Sequence, residues 1–432
     1  MGFIALCIAL GAPELHAETY RLPSNGLEVI LSHDPTLPRV AVNVWYHAGP
    51  ANEPPGQAGI AHLLERLMFR GSEHAPAGEH RRLLKRAGAT DVDATTSFDR
   101  TNFYQTVPSH QLELALWLES DRMGFLRSSL SAQALDEQRE VIRNERRQSI
   151  LDRPYGRSSQ ALFRALFKKG HPYHGYVLGT AESLGALTPE DTRRYYDTFY
   201  APANATLAVV GDFDPSRVKS LVETYFGSLP SRPGPKPRAI VTPPIVEEIR
   251  LQVPEAVELP RVQYGWHSAP ALTQDDATAE VLAVILGQGS GSRLHRALLG
   301  KRALARSVYA SQRSLQLASV FSVVVTAARE TPVAQLEAAI ENVLEALRRA
   351  PPSDEELFRA KNRLLTETVL SLEPTGARAE RVNRYNHYGK SAEFLSQDLE
   401  RYRKVSAADV HALARRLLSR NSRVSTITVP ER

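Results

Sequence analysis

Six prolines, Pro230, Pro233, Pro235, Pro237, Pro243 and Pro244, fall within fifteen residues near the middle of the chain. Proline can continue neither a helix nor a central strand, so 230–244 reads as a linker. What precedes it is written again after it. Arg261-Val-Gln-Tyr-Gly-Trp-His267 parallels Val40-Ala-Val-Asn-Val-Trp-Tyr46, and Arg306 to Ala327 parallels a β-branched, aromatic-rich hairpin over Asp91 to Val107. Ser353 to Leu372 parallels a long helical run beginning at Ser131, and Ser406-Ala-Ala-Asp-Val410 parallels Thr188-Pro-Glu-Asp-Thr192. A chain of 432 residues is about three times a typical domain, so the repeat sets the architecture. It predicts two homologous domains, an N-terminal one over 18–229 and a C-terminal one over 245–432. Strand-like runs (Val29 to His33, Ala41 to Ala48, Ala205 to Gly211) interleave with helical ones (Gly78 to Ala87, Ser109 to Gly124, Pro189 to Phe199, Pro215 to Phe226). The expected fold class is α+β, each domain a mainly antiparallel sheet with helices packed on it.

One helix carries chemistry. In Gly59-Ile-Ala-His-Leu-Leu-Glu-Arg-Leu-Met-Phe-Arg-Gly-Ser72 the apolar residues Ile60, Leu63, Leu64, Leu67 and Met68 mark a buried stripe. His62, Glu65 and Arg66 stand at i, i+3 and i+4 and therefore project from one side. This is the inverted zinc-peptidase motif H-x-x-E-H with its last position changed to Arg. In the intact motif two imidazoles one turn apart hold zinc, and the Glu acts as general base on the metal-bound water. The second copy of this helix, Asp276 to Leu286, lacks the His and Glu.

Gly59 to Gly71 resembles the zinc helix of the pitrilysin/insulinase family, in its half-length bacterial branch similar to mitochondrial processing peptidase. The duplication is this family's organisation and covers the whole mature chain. The resemblance implies two homologous domains forming one half of a clamshell. It also implies a third zinc ligand, a Glu on a later helix. Gln138-Arg-Glu-Val-Ile-Arg-Asn-Glu-Arg-Arg-Gln148 is similar to that helix, and Glu145 is the matching position, 79 residues after Arg66. Glu65 is then the catalytic base, His62 and Glu145 are metal ligands, and Arg66 occupies the replaced ligand position. Guanidinium has no free lone pair and cannot ligate, and two protein ligands hold catalytic zinc poorly. Arg66 is expected to bridge Glu145, Glu65 or both, substituting one positive charge for another. The cofactor, if there is one, is zinc at a defective site.

Asp91 to Thr106 resembles the edge strand on which this family pairs its substrate backbone, with Asp93, Ala94 and Thr95 as the substrate strand. Strand addition relies on main-chain hydrogen bonds and can outlive catalysis. The resemblance therefore implies a zinc metalloendopeptidase-family protein acting on peptides, inactive or weak alone, that serves peptide binding or acts as a partner subunit. A second reading is an active zinc-dependent endopeptidase that completes its site with water or a partner chain. A third is a structural subunit of a membrane-associated complex, like the core proteins of respiratory enzymes. Some relatives carry an Arg and a Tyr seven residues apart in the second half that hold substrate near the metal. Leu299 and Arg306 stand at those positions here, so a second half-length family member is the expected partner, as a heterodimer.

Composition narrows what remains. The chain is 42% hydrophobic and 23% charged with net charge +5, and no basic stripe with interleaved aromatics suggests nucleic acid. Residues 1–17 read as a signal peptide around the apolar run Phe3 to Ala12, although a basic leader segment is missing. Export to the periplasm or beyond is the expectation, with a cytoplasmic location the alternative. No segment is long enough to span a bilayer. Cys7 is the single cysteine, so any metal must be held by His and carboxylates. Gly287-Gln-Gly-Ser-Gly-Ser-Arg-Leu294 lacks the Lys-Ser/Thr ending of a phosphate loop. His171 and His174 read as turn and packing residues, and neither His74 nor His80 has a spacing that would replace the lost ligand.

Overall fold

The computed structural model describes residues 15–235, 240–299 and 303–431. The signal-peptide reading therefore lies outside the described residues, 15–17 excepted, as do four linker residues and 300–302 between Leu299 and Arg306.

Two compact units are present. The first comprises the described residues of Met1–Asn144, Gly175–Arg238 and Val369–Gln397; the second those of Glu145–His174, Ala239–Thr368 and Asp398–Arg432. Each half of the chain thus lends one segment to the unit built mainly from the other.

The first unit holds six strands, β1 (Glu18–Arg21), β2 (Glu28–His33), β3 (Arg39–Tyr46), β4 (Thr90–Thr96), β5 (Thr101–Pro108) and β6 (Ala205–Gly211). They form one sheet in the order β1-β2-β6-β3-β5-β4. The second unit holds β7 (Ile249–Glu255), β8 (Arg261–Ser268), β9 (Ala305–Arg313), β10 (Ser319–Ala327) and β11 (Arg423–Pro430), in the order β7-β11-β8-β10-β9. The two orders superpose as β2-β6-β3-β5-β4 on β7-β11-β8-β10-β9. In each, the first pair is parallel and the others antiparallel. The α+β class and the duplication read from sequence are both present in the fold.

Central strand β3 shows why the first sheet needs cover on both faces. Val40, Val42, Val44 and Tyr46 turn to one side, where Tyr46 stacks on Tyr200 with ring centroids 4.3 Å apart. Ala41, Asn43 and Trp45 turn to the other and are equally buried. Helix Thr375–Arg384, lent by the second half of the chain, packs on that second face against β3 and β6. Its Glu380 carboxylate accepts hydrogen bonds from Asn43 Nδ2 (3.0 Å), Trp45 Nε1 (3.0 Å) and Asn102 Nδ2 (2.9 Å). A fully buried aliphatic or aromatic side chain contributes about 1.5–3 kcal/mol, so the sheet centre is strongly fixed.

In the second unit the lent helix is Gly156–Leu166, which packs on β7, β8 and β11. A Cβ at Gly265 in β8 would come within 3.1 Å of Leu166 and 3.2 Å of Leu162, so glycine permits this close approach. Helices Gln274–Gly287, Val333–Arg349 and Ala407–Leu417 supply apolar residues to the core that surrounds Tyr264, Trp266 and Phe321.

Candidate functional site

The motif helix spans Ile60–Leu67, and all its residues except Arg66 are buried. It begins at Gly59, whose φ of 94° lies in the left-handed region. A side chain at Gly59 would press on Gly179 Cα and Leu184 Cδ2, each 3.0 Å from the Cβ position. No neighbouring side chain within the turn caps the helix. Glu53 does so from the preceding Pro/Gly-rich loop, its Oε1 accepting from the N–H groups of Gly59 (3.0 Å) and Ala61 (3.1 Å). Burial pushes the Glu53 carboxyl up to about 8, while those two backbone donors and nearby His62 pull it down.

His62 and Glu65 are 6% and 4% exposed, and His62 Nδ1 lies 3.4 Å from Glu65 Oε2. The same Oε2 accepts a 2.5 Å hydrogen bond from the Thr96 hydroxyl, at the end of β4. The candidate base is therefore tied both to the motif His and to an edge strand. Arg66 is half-buried on the same helix.

Among the described residues, strand β4 has β5 as its single neighbour in the sheet. Ser97 N donates to Arg100 O (2.9 Å), which fixes the phase of the antiparallel ladder below the hairpin turn. Alternation makes Thr95↔Asn102 and Asp93↔Tyr104 the hydrogen-bonded pairs, and turns the main-chain groups of Ala94 and Thr96 toward the open edge. Pairing also places Ala94 and Thr96 side chains on the motif-helix face and Asp93 and Thr95 on the opposite face. Thr95 donates to Asn102 Oδ1 (2.6 Å), and its carbonyl accepts from Arg100 (2.8 Å). Asp93 is exposed and 3.6 Å from Arg81.

The structure thus brings His62, Glu65 and the Asp93-Ala94-Thr95 strand together within the first unit. Glu145 stands in the last turn of helix Ala132–Arg146, where the second unit begins, and its carbonyl accepts from the Ser149 hydroxyl (2.7 Å). Two contributors escaped the sequence reading. Thr96 lies inside the hairpin that was read, one residue beyond the three named as the substrate strand. Glu53 sits in a loop where only its spacing of six residues before Gly59 could have drawn notice.

His74, His80, His171 and His174 each pack against or bond to neighbouring groups. His80 is buried edge-on to Phe69, and His74 Nδ1 is 2.5 Å from Asp121. His171 stacks on Phe167 with Nε2 3.0 Å from Thr242, and His174 Nδ1 is 2.5 Å from the Phe167 carbonyl. Among the described residues, no three His, Cys, Asp or Glu side chains converge as a metal site. The motif helix offers zinc His62 but an arginine where the second imidazole would stand, so this helix by itself does not fit a catalytic zinc ion. Among the described residues no helix is long and apolar enough to cross a membrane.

Two family models match along the chain, Insulinase (Peptidase family M16) over residues 28–171 and Peptidase M16 inactive domain over 186–364. The chain belongs to the pitrilysin/insulinase family, peptidase family M16. It is 29% identical over 382 residues to the zinc protease PqqE of Helicobacter pylori, covering 85% of this chain and 84% of that protein. The crystal structure of a protease from Helicobacter pylori superposes with TM-score 0.89 at 26% identity, over 96% of this chain and 100% of that one. The periplasmic protease PqqL of Escherichia coli shares the fold with TM-score 0.80 at 18% identity, over 96% of this chain but 48% of PqqL. This M16 chain is thus about half the length of that neighbour and similar in length to the Helicobacter proteins.

Proposed function

We propose that this M16 chain captures extended peptide segments on β4, that its own zinc-dependent hydrolysis is lost or weak, and that it works as one half of a clamshell with a second half-length family member. The observation that carries the reading is the edge strand itself. Ala94 and Thr96 turn their main-chain groups outward, and Thr96 ends the strand on the Glu65 carboxylate. A peptide paired there runs past Glu65 without requiring any particular side chain.

Where zinc is bound in a peptidase, it polarises the scissile carbonyl and lowers the pKa of its water. In this chain His62 and Glu145 are the proposed ligands and Glu65 the proposed base. Arg66, next in sequence to Glu65, brings a permanent positive charge and no lone pair to the second imidazole's position. Its charge disfavours a cation there and leaves a carboxylate an alternative partner.

The alternative, an active zinc endopeptidase completing its site with water or a partner residue, draws on the retained His62–Glu65 geometry and the Thr96 support. Export to the periplasm or beyond, with residues 1–17 as signal peptide, accords with the reading but is not needed by it.

N-methyl scanning tests strand capture. Peptides that bind the protein should lose at least about tenfold in affinity when methyl groups block every second N–H, and lose little when they block the intervening ones. Ala94→Pro, which removes an edge-facing N–H, should abolish binding with the circular dichroism spectrum unchanged. Equal tolerance of both methylation registers would overturn strand addition. For the partner, co-expression with half-length M16 relatives should yield a stable complex on size-exclusion chromatography. A monomer beside every such candidate at micromolar concentration would contradict the heterodimer.

A further inference from the structure

A cavity of about 430 Å³ lies within the first unit, on the face of the sheet opposite the motif helix and reaching the β4 edge. Its floor is formed by β3 and β5, and one wall by the first turn of helix Thr375–Arg384. That turn has no acidic residue and no side-chain cap, because Pro374 stands at its N-cap. Arg378 is its first residue whose N–H reaches a backbone carbonyl, that of Pro374 (3.1 Å). The N–H groups of Thr375, Gly376 and Ala377 have no acceptor among the described residues.

Beside this turn is Thr106, only 5% exposed, whose hydroxyl has no hydrogen-bond partner among the described residues. A Cβ at Gly376 would be 3.3 Å from Thr106 Oγ1, so the missing side chain leaves hydroxyl and helix terminus facing the same space. The hydroxyl lines the cavity and can donate to an acceptor bound there. Arg39, exposed, adds positive charge at the lining. Two carboxylates also line the cavity. Glu380 is already hydrogen-bonded by Asn43, Trp45 and Asn102 and paired, at 3.3 Å, with Arg100. Asp91 is exposed on β4 and bonded by the Thr90 hydroxyl. The Thr106 hydroxyl and the N–H groups of the helix's first turn can each donate to a ligand in the cavity.

We propose that this cavity is a subsite for a carboxylate of the peptide held on β4, supplied by an acidic side chain or by a free C-terminus. The inference deepens the strand-capture reading and rests on it for the source of the ligand. Side chains of an added strand alternate between faces. Those level with Asp93 and Thr95 face the cavity, whereas those level with Ala94 and Thr96 face Glu65. The carboxylate accepts from Thr106 and the helix N-terminus, with the helix dipole and Arg39 favouring its charge.

The test uses full-length protein with ¹⁵N-labelled glycine, the Gly376 amide being assigned by its disappearance in Gly376→Ala. Three probes are titrated: N-acetyl-glutamate α-amide, N-acetyl-glutamine with a free carboxylate, and the neutral N-acetyl-glutamine amide. The Gly376 resonance should shift saturably with one or both carboxylates, and whichever succeeds identifies the source. Thr106→Val should weaken that response about tenfold, as expected for loss of a hydrogen bond to a charged group. No shift, or an equal shift with the neutral amide, overturns the proposal. Ala94→Pro separates the two readings. Retained Gly376 shifts beside peptide binding that ignores Ala94→Pro would sink strand capture alone. Peptide binding abolished by Ala94→Pro but indifferent to acid-to-amide exchange in the peptide would sink the subsite alone.

Discussion

Acid should loosen the first unit through two buried imidazoles. His47, just after β3, and His387, in the turn following helix Thr375–Arg384, stack with ring centroids 4.8 Å apart and Nδ1 atoms 2.7 Å apart. A contact this short allows one shared proton between the two nitrogens, so at least one ring is neutral in the folded state. Burial holds His47 down at about 4, opposed by Glu28 and reinforced by Lys390 and Arg21. Burial holds His387 well below its usual range, and His47, Lys390, Arg100 and Arg384 push the same way. The sign follows from proton binding. Between about 6.5 and 4 the unfolded chain binds more protons at His47, so stability is complete above the unfolded pKa and is lost as pH falls toward the folded one. From pH 7.5 to 5 a pKa of 4 against 6.5 corresponds to about 2 kcal/mol for His47 alone. Urea unfolding at both pH values, compared with His47→Gln/His387→Gln, reads this difference. The native protein should lose about 2 kcal/mol or more beyond the loss in the double variant. Equal pH dependence in the two proteins would refute the buried neutral pair. Titrations common to both, Glu53 included, cancel in the comparison.

Three further outcomes follow from the motif helix. Thr96→Val removes the donor to buried Glu65 and should cost about 1–3 kcal/mol by chemical denaturation, whereas Thr96→Ser should retain most of it. Glu53 has a raised folded pKa, so its contribution is fully present below about 4.5 and is lost as pH rises through about 8. Glu53→Gln should therefore flatten the fall in melting temperature between pH 5 and 9. Gly59→Ala should destabilise by about 1–2 kcal/mol, because Ala pays for left-handed backbone that Gly adopts freely, and the contact with Gly179 adds to that.

Local pattern and tertiary placement were legible to different degrees. Helices Pro189–Phe199 and Pro215–Phe226 begin at Thr188 and Asp214 caps followed by proline, and the hairpin over β4 and β5 is rich in β-branched and aromatic residues. Such signals are local and survive translation into structure. The duplication was readable because the same local signals recur. The exchange of helices between units was not, since an amphipathic helix such as Gly156–Leu166 records that it buries a face but not which sheet receives it. Strand β1 was missed because a four-residue edge strand with polar faces resembles a loop, whereas β7, whose Ile249, Leu251 and Val253 alternate with polar residues, carried a strand signal that lay unread beside the Pro-rich linker. At the site, His62, Glu65 and the Asp93–Thr95 strand were legible from motif and hairpin. Glu53 sits six residues before the start of the helix it caps, in a loop without a motif, and Thr96 acts through a hydrogen bond to Glu65, 31 residues away, for which spacing carries no signal. The same holds for Thr106 and Gly376, which meet across 270 residues of chain.

The central claim is that arginine at the second ligand position removes zinc from an otherwise recognisable M16 site. Elemental analysis of the purified protein, alongside Arg66→His, measures this directly. The native protein should hold well under one equivalent of tightly bound zinc and Arg66→His about one, with the gain lost again in Arg66→His/Glu145→Gln. One equivalent of zinc in the native protein, unaffected by Glu145→Gln, would contradict the claim.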